Sequence, residues 1–159
     1  MRIAFDLDDT LIPCSCTFPV EPPTRSWLSW ALGHERLRHG TGQLLQYLRQ
    51  QRCELWVYTT SFRRPLEVRT SFFLYGGWLR GVVNADRHRR EIQTLGERFK
   101  TVVKYPPLYG VDLLIDDSEA IMLEGKQFNY RTELVRPDNA DWVEQVITAV
   151  ESLWAEQRR

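Results

Sequence analysis

The chain has no long apolar run. No segment reaches the ~18 to 20 uncharged apolar residues that a membrane-spanning helix needs. Charged residues in the N-terminal segment MRIAFDLDDT stand where a signal peptide has its apolar core. We therefore expect a soluble protein that is not exported by that route and has no membrane partner.

An excess of charge of either sign is also missing. Lys and Arg number 21, as do Asp and Glu, so the net charge is zero when the His residues are neutral. Without a global electrostatic field the sequence does not indicate nucleic acid as a partner. The run RHRR, residues 87–90, is typical of a solvated face or, alternatively, of a surface for an acidic partner. The oligomeric state stays open.

Cysteine is scarce and odd in number, with only Cys14, Cys16 and Cys53. These are too few for a disulfide framework and favour a reducing compartment, so we predict a cytoplasmic protein. No second pair of Cys or His at zinc-site spacing accompanies Cys14 and Cys16, so a thiolate metal site is not predicted.

Two nucleotide-binding loops are absent as well. The sequence has neither G-x-x-x-x-G-K-[ST] nor G-x-G-x-x-G, which leaves a Walker-type ATPase and a nicotinamide-dependent enzyme without support. It also has no internal repeat and no linker-like segment. Its 159 residues are 43% hydrophobic, which suits one compact domain over residues 1–159.

What the sequence does have is a series of short apolar runs that end in polar residues. The strongest are residues 2–7 (RIAFDL), 53–60 (CELWVYTT) and 111–117 (VDLLIDD), and weaker ones cover residues 80–84 and 130–135. Each has the length and composition of a buried parallel strand.

Apolar residues at helical spacing fill the gaps between these runs. The clearest stripe is the last, from Trp142 to Trp154. Strands that alternate with helices predict an α/β fold, in which a mostly parallel central sheet of about five strands has helices on both faces. The other stripes contain Leu37, Leu44, Leu45 and Leu48, then Phe62, Leu66 and Phe73, and then Ile92, Leu95 and Phe99.

Polar side chains at the strand tips are the candidate functional residues, because ligands of such sheets bind outside the carboxyl ends of the strands. Two carboxylates ~4 Å apart repel by roughly 4 kcal/mol at an effective dielectric of about 20, so clustered acids need a cation or protons. Oxygen ligands favour Mg²⁺ over Zn²⁺. The alternative is that these acids only cap helices and turns. The residues at the three strongest tips are Asp6 with Asp8, Thr59 with Thr60, and Asp116 with Asp117.

The order of these motifs resembles that of the haloacid dehalogenase (HAD) superfamily. The segment FDLDDTL, residues 5–11, is similar to the D-x-D-x-T signature of that family. The segment LWVYTTS around Thr59 is similar to its second motif, and LLIDD with Asp116 and Asp117 is similar to its fourth. The third motif is a single lysine upstream of the fourth, for which Lys104 is our candidate.

The resemblance implies a Rossmann-like HAD fold and a phosphatase that hydrolyses a phosphate monoester. Asp6 would be the nucleophile that forms an aspartyl phosphate, and Asp8 would be the general acid and base. Thr59 and Lys104 would hold the phosphoryl oxygens. Lys100 is the alternative to Lys104.

The cofactor implied by the resemblance is Mg²⁺. It would be held by Asp6, the backbone carbonyl of Asp8, and the acidic pair Asp116 and Asp117. Two alternative functions stay open. One is a binding or regulatory module that has lost catalysis, and the other is a phosphotransferase whose acceptor is not water.

The sequence also suggests which residues bind the substrate and how open the site is. Thr10, Thr60 and Arg63 lie near the same edge and are the candidates for substrate binding, although the sequence slightly favours a surface role for Arg63. The insertion at residues 13–36 leaves room only for a small flap and one helix, so no large cap fits. Such capless or small-flap members of the family have open sites, which implies a phosphorylated substrate that is bulky or macromolecular, or a partner subunit that closes the site.

Overall fold

The structure is a computed structural model that describes residues 1–25 and 35–158. Three short 3₁₀ helices, Gln93–Leu95, Glu97–Phe99 and Pro106–Tyr109, lie between the regular elements. In chain order, the strands and helices are β1 (Arg2–Phe5), β2 (Val20–Glu21), β3 (Leu37–Arg38), α1 (Thr41–Gln50), β4 (Glu54–Tyr58), α2 (Pro65–Leu74), β5 (Leu79–Val83), α3 (Ala85–Ile92), β6 (Leu113–Asp116), α4 (Glu119–Phe128), β7 (Thr132–Leu134) and α5 (Trp142–Gln157).

The central sheet has five strands in the order β5-β4-β1-β6-β7, and every neighbouring pair is parallel. Each strand lies within or next to one of the five apolar runs of the sequence, which confirms the predicted parallel α/β fold. The first strand, β1, is central. In register, Phe5 pairs with Val57 of β4 on one side and with Ile115 of β6 on the other.

Helices cover both faces of the sheet, as predicted. Because side chains alternate along a strand, Ile3 and Phe5 point to one face and Ala4 points to the other. Ile3 and Phe5 belong to the larger core, which includes buried residues of α1, α2 and α5. Ala4 belongs to a smaller core with Tyr109 and with Ile121 of α4. The sheet is therefore buried on both sides, and its functional surface is the edge where the strands end.

Three of the predicted helical stripes are longer than the helices that form. Leu37 lies in β3, which pairs with β2 in a separate antiparallel ladder, and α1 starts only at Thr41. Phe62 precedes α2, which starts at Pro65, a residue favoured in the first turn of a helix. In the stripe through Leu95, α3 ends at Ile92 and a 3₁₀ turn follows at Gln93–Leu95. Gly96, whose φ of 93° is left-handed, then separates this turn from the next one at Glu97–Phe99.

No helix of the described residues is long and apolar enough to cross a membrane. Part of the insertion at residues 13–36, namely residues 26–34 where a helix was expected, lies outside the described residues. The described part contains a loop at residues 14–16 and strand β2, which pairs with β3 just after the insertion.

Candidate active site

The carboxyl ends of β1, β4 and β6 bring the predicted polar residues together. In the sheet, β4 and β5 lie on one side of β1, and β6 and β7 lie on the other. The strand order thus reverses at β1, and ligands of parallel sheets bind at such a reversal. Asp6 follows β1, and its N–H donates to the carbonyl of Ile115 at 2.9 Å. Thr59 follows β4, and Asp116 is the last residue of β6.

Lys104 contacts acids at the ends of both β1 and β6. Its Nζ lies 2.7 Å from Oδ1 of Asp6 and 2.6 Å from Oδ2 of Asp116. All three residues are buried, with at most 6% of their surface exposed. Lys100, the alternative lysine, is on the surface and pairs with Glu97. Only Lys104 of these two lysines therefore has its ammonium in the carboxylate cluster.

Burial dominates the electrostatics of this cluster. It raises the pKa of Asp6, although the neighbouring Lys104 ammonium acts in the opposite direction. Burial also disfavours the Lys104 ammonium, but the charges of Asp6 and Asp116 outweigh it and raise the pKa of Lys104. Oδ1 of Asp6 is fully buried and accepts no hydrogen bond of good geometry from the described residues, in spite of its short distance to Nζ. The cluster thus holds a carboxylate oxygen with unused bonding capacity.

The acids at the site suit a hard divalent cation. Asp6, Asp116 and Asp117 each offer one carboxylate oxygen, and these oxygens lie within 4.8 Å of one another. When ionised, the three carboxylates carry more negative charge than the single ammonium of Lys104 balances. Oxygen-only ligands and the under-bonded Oδ1 of Asp6 match the preference of Mg²⁺. These residues therefore fit the cation that the sequence motifs implied.

Thr10 contacts the acidic pair at the tip of β6. Its hydroxyl donates to Oδ1 of Asp117 at 2.7 Å and accepts the Asp117 N–H at 3.1 Å. The side chain is completely buried. Thr10 therefore orients a candidate metal ligand, and its predicted contact with a substrate stays a prediction.

Asp8 lies on the open side of the site and is less buried than Asp6. Its Oδ1 accepts from Nη1 of Arg63 at 2.6 Å and from the Cys14 thiol at 3.0 Å. Arg63 also donates to both carboxylate oxygens of Glu35, each at 2.9 Å. The pKa of Arg63 is raised by its hydrogen bonds to Glu35 and Asp8. Arg63 thus links the candidate acid Asp8 to Glu35 of the insertion.

Asp9 is a site residue that the sequence did not reveal. Its backbone is left-handed, with φ 61°, and its Oδ1 accepts the N–H groups of Cys14, Ser15 and Cys16 at 2.8 to 3.1 Å. Asp tolerates this backbone region and forms such turns, which is the signal that was available. One carboxylate therefore shapes the loop that follows the first motif.

The tip of β4 presents two hydroxyls in contact. Thr59 is buried, and its hydroxyl donates to Oγ of Ser61 at 3.0 Å and accepts the Ser61 N–H at 3.1 Å. Thr60, a candidate for substrate binding, is exposed beside them. Ser61 was missed because the family motif marks only one hydroxyl residue at this strand.

The loop that carries Lys104 is held by Glu124 of α4. The Glu124 carboxylate accepts the N–H of Val103 and the N–H of Lys104, each at 2.9 Å. Tyr130 also donates to it at 3.2 Å. No motif pointed to Glu124, since its partners are backbone groups some 20 residues away.

Tyr58 and His88 hold the same loop from the other side. The N–H of Tyr105 donates to the hydroxyl oxygen of Tyr58 at 2.9 Å. Tyr58 lies 2.5 Å from Nδ1 of His88, whose Nε2 lies 2.9 Å from the carbonyl of Val102. Because a carbonyl only accepts, Nε2 carries the proton and Nδ1 accepts from Tyr58. Burial lowers the pKa of His88, which favours this neutral form of the ring.

Similarity of this chain to known proteins is found among solved structures. No protein-family model matches the chain, and no curated protein matches it. Among solved structures, the chain is similar to one described as a predicted HAD-like family hydrolase from Porphyromonas gingivalis. The two chains are 15% identical with a TM-score of 0.47, and the alignment covers 96% of this chain and 97% of that one.

Proposed function

We propose that the protein is a Mg²⁺-dependent phosphatase that hydrolyses a phosphate monoester through an aspartyl phosphate on Asp6. The observation that carries the proposal is the buried contact of Lys104 with Asp6 and Asp116, next to Asp117. A buried ammonium between a nucleophile and a metal-binding acid provides positive charge where a phosphoryl group would enter.

In the first step, a carboxylate oxygen of Asp6 attacks phosphorus and the bond from phosphorus to the leaving oxygen breaks. Asp8 gives its proton to the leaving oxygen, so the alcohol departs neutral. For this step Asp8 has to exchange its contact with Arg63 for a proton, and the open position of both side chains allows this. Lys104 and the hydroxyls of Thr59 and Ser61 bind phosphoryl oxygens.

In the second step, water attacks the same phosphorus atom while Asp8 takes its proton. The bond between phosphorus and the Asp6 oxygen breaks, which releases inorganic phosphate and restores the carboxylate. Mg²⁺, held by Asp6, the Asp8 carbonyl, Asp116 and Asp117, would neutralise phosphoryl charge. Thr10 keeps Asp117 in place for that contact.

The test is hydrolysis of p-nitrophenyl phosphate with and without Mg²⁺, for the parent and for Asp6→Asn. We expect Mg²⁺-dependent release of p-nitrophenol and a loss of ~10³-fold or more in the variant, as for other nucleophiles. Asp141→Asn is the matched control, because Asp141 is exposed at the start of α5 and its side chain caps nothing. Equal turnover of Asp6→Asn and Asp141→Asn would refute the proposal.

Thermal denaturation separates this proposal from a catalytically inactive binding module. Mg²⁺ should raise the Tm of the parent, since a ligand of the native state stabilises by RT ln(1 + [L]/Kd). A variant with both Asp116→Asn and Asp117→Asn should lose that response. A normal Mg²⁺ response without any hydrolysis would favour the binding module, and added alcohols that capture the phosphoryl group would favour a phosphotransferase.

A further inference from the structure

A cleft of about 470 Å³ opens beside the candidate active site. It lies between α3 and the segment at residues 100–103 that leads to Lys104. Thr59 lines both this cleft and the site, and Thr60 lies at the junction. A substrate whose phosphoryl group is bound at Thr59 can therefore extend the rest of its structure into the cleft.

The lining of the cleft has a clear chemical bias. It contains the cations Arg89 and Lys100, and no Asp or Glu of the described residues lines it. Its inner wall is apolar, with Ile92 and Val102 buried. The cleft therefore favours a group with an apolar body and negative charge.

Arg89 is the cation available to a ligand. No carboxylate of the described residues pairs with it, and its guanidinium lies 5.6 Å from the ring centre of Phe62. Lys100, in contrast, already pairs with Glu97. An exposed cation without a carboxylate partner loses no ion pair when it binds an anion.

The position of Arg89 also explains one member of the basic run at residues 87–90. Arg87 pairs with Glu91 and lies over the ring of Tyr109, and His88 is part of the network that holds the Lys104 loop. Arg90 is exposed and does not line the cleft. The four residues of this run thus have different roles, and Arg89 is the one of them that presents a charge to the cleft.

We infer that the substrate is a phosphate monoester whose leaving group carries a second anionic group, and that Arg89 binds this group in the cleft. The inference rests on the proposed phosphatase activity and adds the substrate class. Arg89 is a specificity residue, because it contacts the part of the substrate that departs.

The experiment compares carboxyphenyl phosphate with carbamoylphenyl phosphate, each as the meta and the para isomer. The two esters have nearly the same shape and differ in one negative charge. Phosphate release with Mg²⁺ gives kcat/KM for both esters. We expect the parent to prefer the carboxylate ester by about fivefold, mainly through KM, which is the range of an exposed charge pair. The preference should shrink as salt is added.

The variants assign the preference to one side chain. Arg89→Ala should bring the ratio of the two kcat/KM values close to one, and Arg89→Glu should invert it. Arg90→Ala, one residue away on the same helix, should keep the ratio of the parent. A parent that hydrolyses both esters equally, or an equal loss of preference in Arg89→Ala and Arg90→Ala, would overturn the inference and leave the phosphatase activity intact. Hydrolysis of p-nitrophenyl phosphate but of neither ester would also overturn the inference, whereas hydrolysis of none of the three would refute the phosphatase activity itself.

Discussion

Two loops border the candidate site, one in contact with Asp8 and one with Asp6. In both, a carboxylate accepts consecutive backbone N–H groups. In the loop at Cys14–Cys16, Asp9 accepts three of them. In the loop at Val103–Tyr105, Glu124 accepts two and the Tyr58 hydroxyl accepts the third.

The two loops differ in where they are anchored. The Lys104 loop is attached to α3, α4 and β4, and its lysine is buried. The Cys14 loop depends on one residue of its own segment and borders the half-exposed Asp8. The difference suggests that the loop with the buried charge is fixed by several elements, whereas the loop beside Asp8 is fixed by one residue of its own segment.

The largest effect is expected when the buried charge of Lys104 is removed. Lys104→Ala should lower kcat/KM on an aryl phosphate by ~10² or more, because phosphoryl charge loses its buried partner. Lys100→Ala should change it by a factor of a few at most, since that ammonium pairs with Glu97 at the surface. Steady-state kinetics of both variants measure the two effects. A large defect confined to Lys100→Ala would show that the role belongs to the other lysine.

A smaller effect is expected from the anchor of the buried loop. Glu124→Ala should lower kcat about tenfold, with KM less affected, because Lys104 remains but is less well positioned. Glu124→Gln keeps one acceptor oxygen and should recover part of the loss. Glu119→Gln, on the same helix at its exposed start, is the control. If Glu124→Ala lowers only Tm and not kcat, Glu124 is merely structural.

The anchor of the open loop should affect stability more than catalysis. Asp9→Ala removes the acceptor and leaves a left-handed backbone position without a suitable residue. We expect it to lower Tm by about 3 °C. Asp9→Gly suits the left-handed backbone but still lacks the acceptor oxygen. Asp9→Asn tolerates this backbone and keeps an acceptor oxygen. The Tm of the three variants should therefore rise in the order Ala, Gly, Asn. Thermal melts that place Asn below Ala would contradict this role of Asp9.

The smallest effect concerns pH. Burial lowers the pKa of His88 in the folded state, so the unfolded chain binds a proton first as pH falls. The stability from neutral His88 is complete above the ordinary His pKa of about 6.5 and is lost as pH falls toward the lower folded value. Glu124 and Lys104 face His88 and act in opposite directions, Glu124 raising and Lys104 lowering its pKa.

The measurement for His88 is a set of thermal melts between pH 7.5 and pH 5. The parent should lose about 2 °C more than His88→Gln over this range, after allowance for the lower starting Tm of the variant. An identical pH dependence in the two proteins would show that His88 does not contribute to it.

The strands and their acidic tips were predictable because local composition decides them. Asp6 and Asp116 each end an apolar run, and the parallel sheet then brings the tips of neighbouring strands together. The 3₁₀ turns after Ile92 were not predictable from apolar spacing, because the spacing of Ile92, Leu95 and Phe99 gives no sign of the left-handed backbone at Gly96.

The supporting groups were hidden for a different reason. Glu124 and Tyr58 accept hydrogen bonds from backbone N–H groups. Every residue except proline has such a group, so the sequence does not show which ones are partners. The contact of Thr10 with Asp117 joins residues 107 positions apart and depends on the sheet to bring β1 and β6 together. A sequence motif names the groups that would touch a substrate, whereas the groups that hold them become visible only in the fold.

The most direct test of the account is to look for the phosphoryl group on Asp6. The Asp8→Asn variant should form the aspartyl phosphate from a reactive aryl phosphate with Mg²⁺ but hydrolyse it slowly, because no general base activates water. Acid quenching followed by peptide mass spectrometry should then find one phosphoryl group on the peptide that contains Asp6. The same peptide from a variant that also carries Asp6→Asn should be unmodified. A phosphoryl group on any other residue of the Asp8→Asn variant would contradict the assignment of Asp6 as the nucleophile.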